Sequence, residues 1–262
     1  MSLTSLSTLV FAQSIPQTLQ LGVIGDSISR GYDIKSLRTE SLDLVWASGT
    51  SLSTSHYNRL LAMSPGLKIN VNNLALVGDT VTEKDSQFQA RAQQMADAGA
   101  DYVSILIGAN DICGGDLGTQ SGLNAFQRGV SVALSTLLSS AHPPKIIVVS
   151  SIPHIWQLTQ IPELSSNPFC NMVWDQACSN LQIGQEKFDE QWTAANRALE
   201  DAAAAAGPHV VFDNMAVANK NFTADEISGK DCFHPSEKGQ GILATEVWNQ
   251  VSGKVSELLF SK

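Results

Sequence analysis

Apolar residues recur along this chain with two different periods. Five short runs are nearly continuous in Leu, Ile and Val or alternate with polar residues: LQLGVIG (19–25), KINVNNLAL (68–76), DYVSILIG (101–108), KIIVVSSIP (145–153) and HVVFD (209–213). Runs of this length and composition predict strands. Between them the apolar positions fall three and four residues apart. Leu123, Phe126, Val130, Leu134 and Leu137 form one stripe, Phe188, Trp192, Ala195, Leu199 and Ala202 a second, and Leu243, Val247, Val251, Val255 and Leu259 a third. Each stripe predicts an amphipathic helix. Residues 84–98, rich in Gln and Ala, predict a weaker one, and AAAAAG (202–207) reads as a helix end stopped by Gly207-Pro208.

Largely apolar strands alternating with helices predict a parallel sheet covered on both faces. The expected fold class is α/β: a three-layer α/β/α sandwich with a doubly wound, mostly parallel five-stranded sheet. Residues 32–64 and 154–184 read as long excursions from this frame. No polar linker divides 19–262, which read as one domain. Residues 1–18 read either as an ordinary N-terminal arm or as the remnant of a secretory signal. MSLTSLSTLVFAQS is moderately apolar and ends in small residues, but lacks the basic start such signals carry.

Composition narrows the partners. A 262-residue chain that is 43% hydrophobic suits one large domain with a real core, or at most two small ones. Sixteen Lys and Arg against 25 Asp and Glu leave a net charge of -9, which argues against nucleic acid, and no polybasic run invites anionic lipid. No apolar stretch reaches the roughly 18 residues of a membrane span. The four cysteines include no CxxC pair, so a zinc site is not expected.

Ligands of open parallel sheets bind beyond the carboxyl ends of the strands. There the chain places GVIGDSISRG (22–31), an apolar run halted by Gly25-Asp26-Ser27 and continuing as a predicted helix. In isolation this is a turn, or a serine set where a ligand sits. The second strand is followed by Gly78, the third by Gly108-Ala109-Asn110-Asp111, and the last helix is preceded by DCFHPS with Asp231 and His234. A hydroxyl, an Asp/His pair, an amide and a backbone N–H freed by glycine are the inventory of acyl transfer.

The same residues carry a resemblance. IGDSIS (24–29), NLALVGDT (73–80), IGANDIC (107–113) and DCFHPSEKG (231–239) resemble the four blocks of the GDSL-type, or SGNH, serine hydrolases, in family order across most of the chain. WASGT (46–50), SHYNRLLA (55–62) and the cysteines in the last two blocks resemble its phospholipase B-like branch. The resemblance implies a flavodoxin-like fold and an esterase or lipase that cleaves carboxylic esters through an acyl-enzyme, lipid acyl esters being one substrate class and O-acetylated carbohydrate another. It implies Ser27 as nucleophile, His234 as base and Asp231 as its orienting acid. The Ser27 N–H, the Gly78 N–H and the Asn110 amide would form the oxyanion hole. No metal or organic cofactor is expected. A monomer acting on a small-molecule or lipid ester is expected. Asp79 departs from the pattern, since a small residue is more usual after Gly78, and is expected to face away.

Other positions keep two readings. His154, Trp156 and Trp174 lie in the 154–184 excursion and are either core or the wall of an acyl pocket. His56, His142 and His209 lack a DxxH context and read as packed or surface residues, and Asp26 as a bonder of backbone amides. Asn221-Phe222-Thr223 is a glycosylation sequon. If Asn110 and His234 converge as the resemblance implies, Cys113 and Cys232 are carried together. The expected disulfides are then Cys113–Cys232 and a local Cys170–Cys178, in a secreted or periplasmic protein; free thiols in a cytoplasmic enzyme are the alternative. The rivals in function are a non-catalytic ligand-binding module on the same fold and a phosphate-binding flavodoxin-like protein, for which GDSISRG is a poor first loop.

Overall fold

The computed structural model describes residues 18–82 and 87–261. The arm or signal remnant read at 1–18 lies, apart from Thr18, outside the described residues. The five apolar runs become β1 (Thr18–Gly25), β2 (Lys68–Asn73), β3 (Tyr102–Leu106), β4 (Ile146–Val149) and β5 (Val210–Phe212). Every pairing among them is parallel, in the order β2-β1-β3-β4-β5. The sheet is therefore wholly rather than mostly parallel. β3 and β4 are buried at every position, which is why their sequences are apolar without alternation.

Eight α-helices lie among the described residues: α1 (His56–Met63), α2 (Gln87–Ala98), α3 (Ala109–Gly114), α4 (Gln120–Leu138), α5 (Pro162–Ser165), α6 (Pro168–Ala177), α7 (Gln185–Ala206) and α8 (Glu237–Phe260). The three predicted stripes are the buried faces of α4, α7 and α8. α4 packs between α2 and α7, while α1 packs with α8. This gives the expected three layers. None of the described helices is long and apolar enough to cross a membrane.

His56 fastens three elements. Its ring is fully buried, with Nδ1 2.5 Å from the Tyr102 hydroxyl on β3 and Nε2 3.2 Å from the Ala244 carbonyl on α8. Burial pushes its pKa down to about 3. The ring is thus neutral, with Nε2–H donating to Ala244 and Nδ1 accepting from Tyr102.

The strand order reverses between β1 and β3, the point at which such sheets open a crevice for ligands. The second apolar run leaves regular strand geometry at Asn73, earlier than its pattern suggests. There the Asn73 side chain takes over backbone partners, donating to the Ser29 carbonyl at 2.8 Å and accepting from the Ala75 N–H at 3.1 Å. The chain still follows β1, through Leu74 N–H to Val23 and Leu76 N–H to Gly25. The loop that follows is thereby carried to the β1 side of the crevice.

Candidate active site

β1 ends at Gly25 with φ +146°, where a Cβ would stand 2.1 Å from the Leu106 carbonyl of β3. Only glycine permits that approach. The chain then closes into a single 3-10 turn, Ser27–Arg30, instead of a longer helix. Asp26 caps the turn by accepting the Ile28 N–H at 2.9 Å, the backbone role expected of it. Ser27 is left at the carboxyl end of β1, buried except for its face on the crevice.

Asp231 builds the opposing loop. Its Oδ1 accepts the N–H groups of Phe233 and His234 at 3.0 and 3.1 Å, a local turn that Asp favours. Its Oδ2 accepts the His234 Nδ1–H at 2.5 Å, and His234 Nε2 lies 2.7 Å from Ser27 Oγ. Tyr32 and Phe233 stand edge-on to the imidazole. Ser236 caps α8 immediately afterwards, through the Gly239 N–H. Burial works to raise the Asp231 carboxyl. The hydrogen bond and charge of His234, with the two backbone N–H groups, outweigh it and hold the group below the usual carboxylate range.

Asn110 occupies the first turn of α3 and donates one amide N–H to the Asp79 carbonyl at 2.9 Å. An amide has two N–H groups, so the second remains for the crevice that Asn110 lines with Ser27. Gly78 has φ +80° with open space around its Cα, so its glycine serves the backbone conformation rather than a close contact. Among the described residues, neither the Gly78 nor the Ser27 N–H donates to another protein group. Asp111 ties this loop to α3 by accepting from the Val81 and Thr82 N–H groups and the Thr82 hydroxyl. The Asp79 carboxylate accepts the Thr80 N–H and takes no part in lining the crevice. Burial pushes Asp26 up to about 7, and Asp79 and Asp111 each up to about 6.

A narrow pocket adjoins Ser27, Asn110 and His234. Apolar residues make most of its wall, among them Ile155, Leu158, Phe222, Ile227 and Phe233. Two of its polar members are bonded to protein groups. Gln157 accepts the Phe222 N–H at 2.9 Å and donates to Asn221, and His154 Nε2 lies 2.7 Å from Asp189.

Of the three aromatic candidates for this pocket, His154 lines it and the two tryptophans do not. Trp156 packs against Phe188, and Trp174 is buried with its indole N–H on the Cys232 carbonyl. Phe222 and Ile227 carry no pocket signal in the sequence, because they lie in a stretch without periodicity. Phe233, inside DCFH, was in plain view.

The expected disulfide pairing is corrected. The bonds are Cys113–Cys178 and Cys170–Cys232. A Cys170–Cys178 bridge fails because α6 runs between them, and eight residues of helix rise about 12 Å, beyond the ~7 Å Cα limit for a bridge. The two loops do converge, but α6 lies between their cysteines and takes one bond to each.

A family model described as "GDSL-like Lipase/Acylhydrolase" matches residues 21–247. Among solved structures, the chain is similar to the lipase/acylhydrolase from Enterococcus faecalis, with 17% identity, a TM-score of 0.55, and coverage of 90% of this chain and 96% of that one. It is also similar to an acetylxylan esterase from Geobacillus stearothermophilus, with 20% identity, a TM-score of 0.55, and coverage of 91% and 96%. At these identities the two structures speak for the fold alone. No curated protein matches the sequence. The family match spans all four sequence blocks, from the strand before Ser27 to the helix after His234, and on that footing the chain belongs to the GDSL-like lipases and acylhydrolases and is a carboxylic-ester hydrolase.

Proposed function

We propose that this enzyme hydrolyses esters of apolar acyl chains through a Ser27 acyl-enzyme. The observation that carries this reading is the unbroken chain Asp231–His234–Ser27, at 2.5 and 2.7 Å, opening onto an apolar pocket. Ser27 Oγ attacks the ester carbonyl as His234 Nε2 takes its proton, and Asp231 holds the imidazole in the tautomer that allows this. The Ser27 N–H, the Gly78 N–H and the free Asn110 N–H receive the oxyanion. His234 then gives its proton to the departing alcohol. Water, deprotonated by the same imidazole, releases the acid.

The acyl preference rests on the wall. Gln157 and His154 each bond a protein group, and the rest of the wall beyond the triad and Asn110 is apolar, so the pocket favours aliphatic contact. Deacetylation of carbohydrate is the second reading, in which the sugar is the alcohol and only an acetyl group enters. Two disulfides support an oxidising compartment, secreted or periplasmic.

A fluorophosphonate probe should label Ser27 and no other serine. A series of p-nitrophenyl esters from acetate to laurate should then show kcat/KM rising beyond acetate. Absence of labelling in folded protein would overturn the mechanism. Labelling with a sharp acetate optimum, and turnover of acetylated xylo-oligosaccharides, would replace the acyl-chain reading with deacetylation.

A further inference from the structure

The turn after Ser27 carries a second acid into the triad. Asp33 is buried and has φ +58°, an unusual conformation for a non-glycine residue that Asp and Asn tolerate best. Several bonds hold it there. Its N–H donates to the Thr39 carbonyl at 2.9 Å, its own carbonyl accepts the Ser228 hydroxyl at 2.6 Å, and its carboxyl accepts the Arg38 N–H. Ser228 in turn donates its N–H to the His234 carbonyl, so the Asp33 turn and the His234 loop form one unit. Within it, one carboxylate oxygen each of Asp33 and Asp231 and a ring nitrogen of His234 lie within 4.8 Å of one another, so the two carboxyl groups and the imidazole form one cluster.

Two buried carboxyl groups this close disfavour double ionisation, and the one that keeps its proton can donate it to the other. The donors decide which. Asp231 receives three, from Phe233 N–H, His234 N–H and His234 Nδ1–H, whereas Asp33 receives one, from Arg38 N–H. We propose that Asp33 is a positioning residue that stays protonated and donates its O–H to Asp231, making a four-membered line Asp33–Asp231–His234–Ser27. Burial raises the Asp33 carboxyl, and the charge of Asp231 and the contact with it raise it further, while the opposite charge of His234 and the Arg38 N–H oppose the shift. Among the described residues, Asp26 also interacts with His234 electrostatically from the β1 side, and Tyr32 stands edge-on to its ring.

The bond has two consequences. It fixes the Asp231 carboxylate so that Oδ2 stays aimed at Nδ1. It also draws negative charge away from the carboxylate that faces the imidazole, so its loss should show in the acid limb of the pH profile. The inference rests on the triad reading of Proposed function, and fluorophosphonate labelling tests that reading separately.

The test compares Asp33→Asn with Asp33→Gly. Asn keeps the acceptor for Arg38 and donates a permanent N–H to Asp231. Gly suits the positive φ and removes the side chain without backbone strain. Asp33→Asn should keep kcat/KM within about threefold, with the acid limb of its pH profile in place. Asp33→Gly should lower kcat about tenfold at nearly constant KM and move the acid limb upward by about half a pH unit. A merely structural Asp33 would leave the acid limb of folded Asp33→Gly unmoved, and that result would overturn the proposal. Should the Gly variant not fold, carbon-13 NMR of Asp-labelled wild-type enzyme decides, with Asp33→Asn assigning the resonance. Asp33 protonated at pH 6 supports the proposal; Asp33 ionised there ends it.

Discussion

Trp174 donates its indole N–H to the Cys232 carbonyl over 2.7 Å, from one helical turn beyond Cys170, which is bonded to the Cys232 sulfur. Cys232 stands between Asp231 and His234 with φ +56°, so a residue in an unusual conformation is held from two sides by α6. Cys178, at the end of the same helix, holds Cys113 one turn after Asn110. The 154–184 excursion is therefore a brace between the loop carrying the base and the helix carrying the candidate oxyanion donor. Trp174→Phe leaves a buried carbonyl without its donor, a loss of about 1–3 kcal/mol. It should lower Tm in thermal melts and reduce kcat more than it changes KM.

Reduction should act in the same sense. Each bridge closes a loop of more than 60 residues, worth roughly 4 kcal/mol in the chain-entropy model. Titration with dithiothreitol should abolish activity before the far-ultraviolet circular dichroism changes, because the core strands do not depend on α6. Coincident loss of both signals would count against the brace.

Ser27→Ala should reduce ester hydrolysis at least ~10³-fold, since nucleophile and base act as one unit. Its melting curve should match that of the parent, because Ser27 Oγ bonds only His234 among the described residues. A folded variant retaining a tenth of the activity would remove Ser27 from the chemistry.

Asn110→Ala should lower kcat by about 10²–10³ with KM nearly constant, because an oxyanion donor acts in the transition state. Steady-state kinetics on one soluble ester separates this from substrate binding, which would appear in KM.

Leu158→Trp should fill the pocket and shift the acyl optimum toward acetate. Each methylene excluded from an apolar pocket costs about 1–3 kcal/mol, or about 10–200-fold in kcat/KM. Octanoate turnover should therefore fall well over tenfold, while acetate turnover is retained. Equal loss on both esters would show that the chain lies elsewhere.

Asp26 sets a pH dependence of stability. Its carboxyl, fully buried and raised from 3.8 to about 7, binds a proton in the folded state that the unfolded chain releases near pH 4. Its contribution is intact below about pH 4 and is lost as pH rises through about 7. Asp26→Asn keeps an acceptor for the Ile28 N–H and cannot ionise. It should raise stability by roughly 2–4 kcal/mol at pH 8 and hardly at all at pH 4. Urea unfolding at the two values measures the difference.

The layered α/β architecture was legible in the sequence because it is written in periodicity. β3 and β4 are buried on both faces and so are apolar throughout, while α4, α7 and α8 show one apolar stripe each because one face of each meets the sheet or its neighbours. That Ser27, Asn110 and His234 meet at one crevice, with Asp231 behind the imidazole, was legible because each lies in a short polar block beside a predicted strand or helix end. Which cysteine meets which, and what α6 does between the two loops, was decided only in three dimensions. The 154–184 segment reads as a loop, its helix is short, and disulfide partners depend on where that helix lies rather than on neighbours in sequence. The pocket wall was equally hidden, since Ile155, Phe222 and Phe233 come from separate segments with no shared period. Asp33, six residues beyond Ser27 in an unremarkable turn, acquires its place beside Asp231 only because the chain folds back across nearly two hundred positions to bring the two acids together.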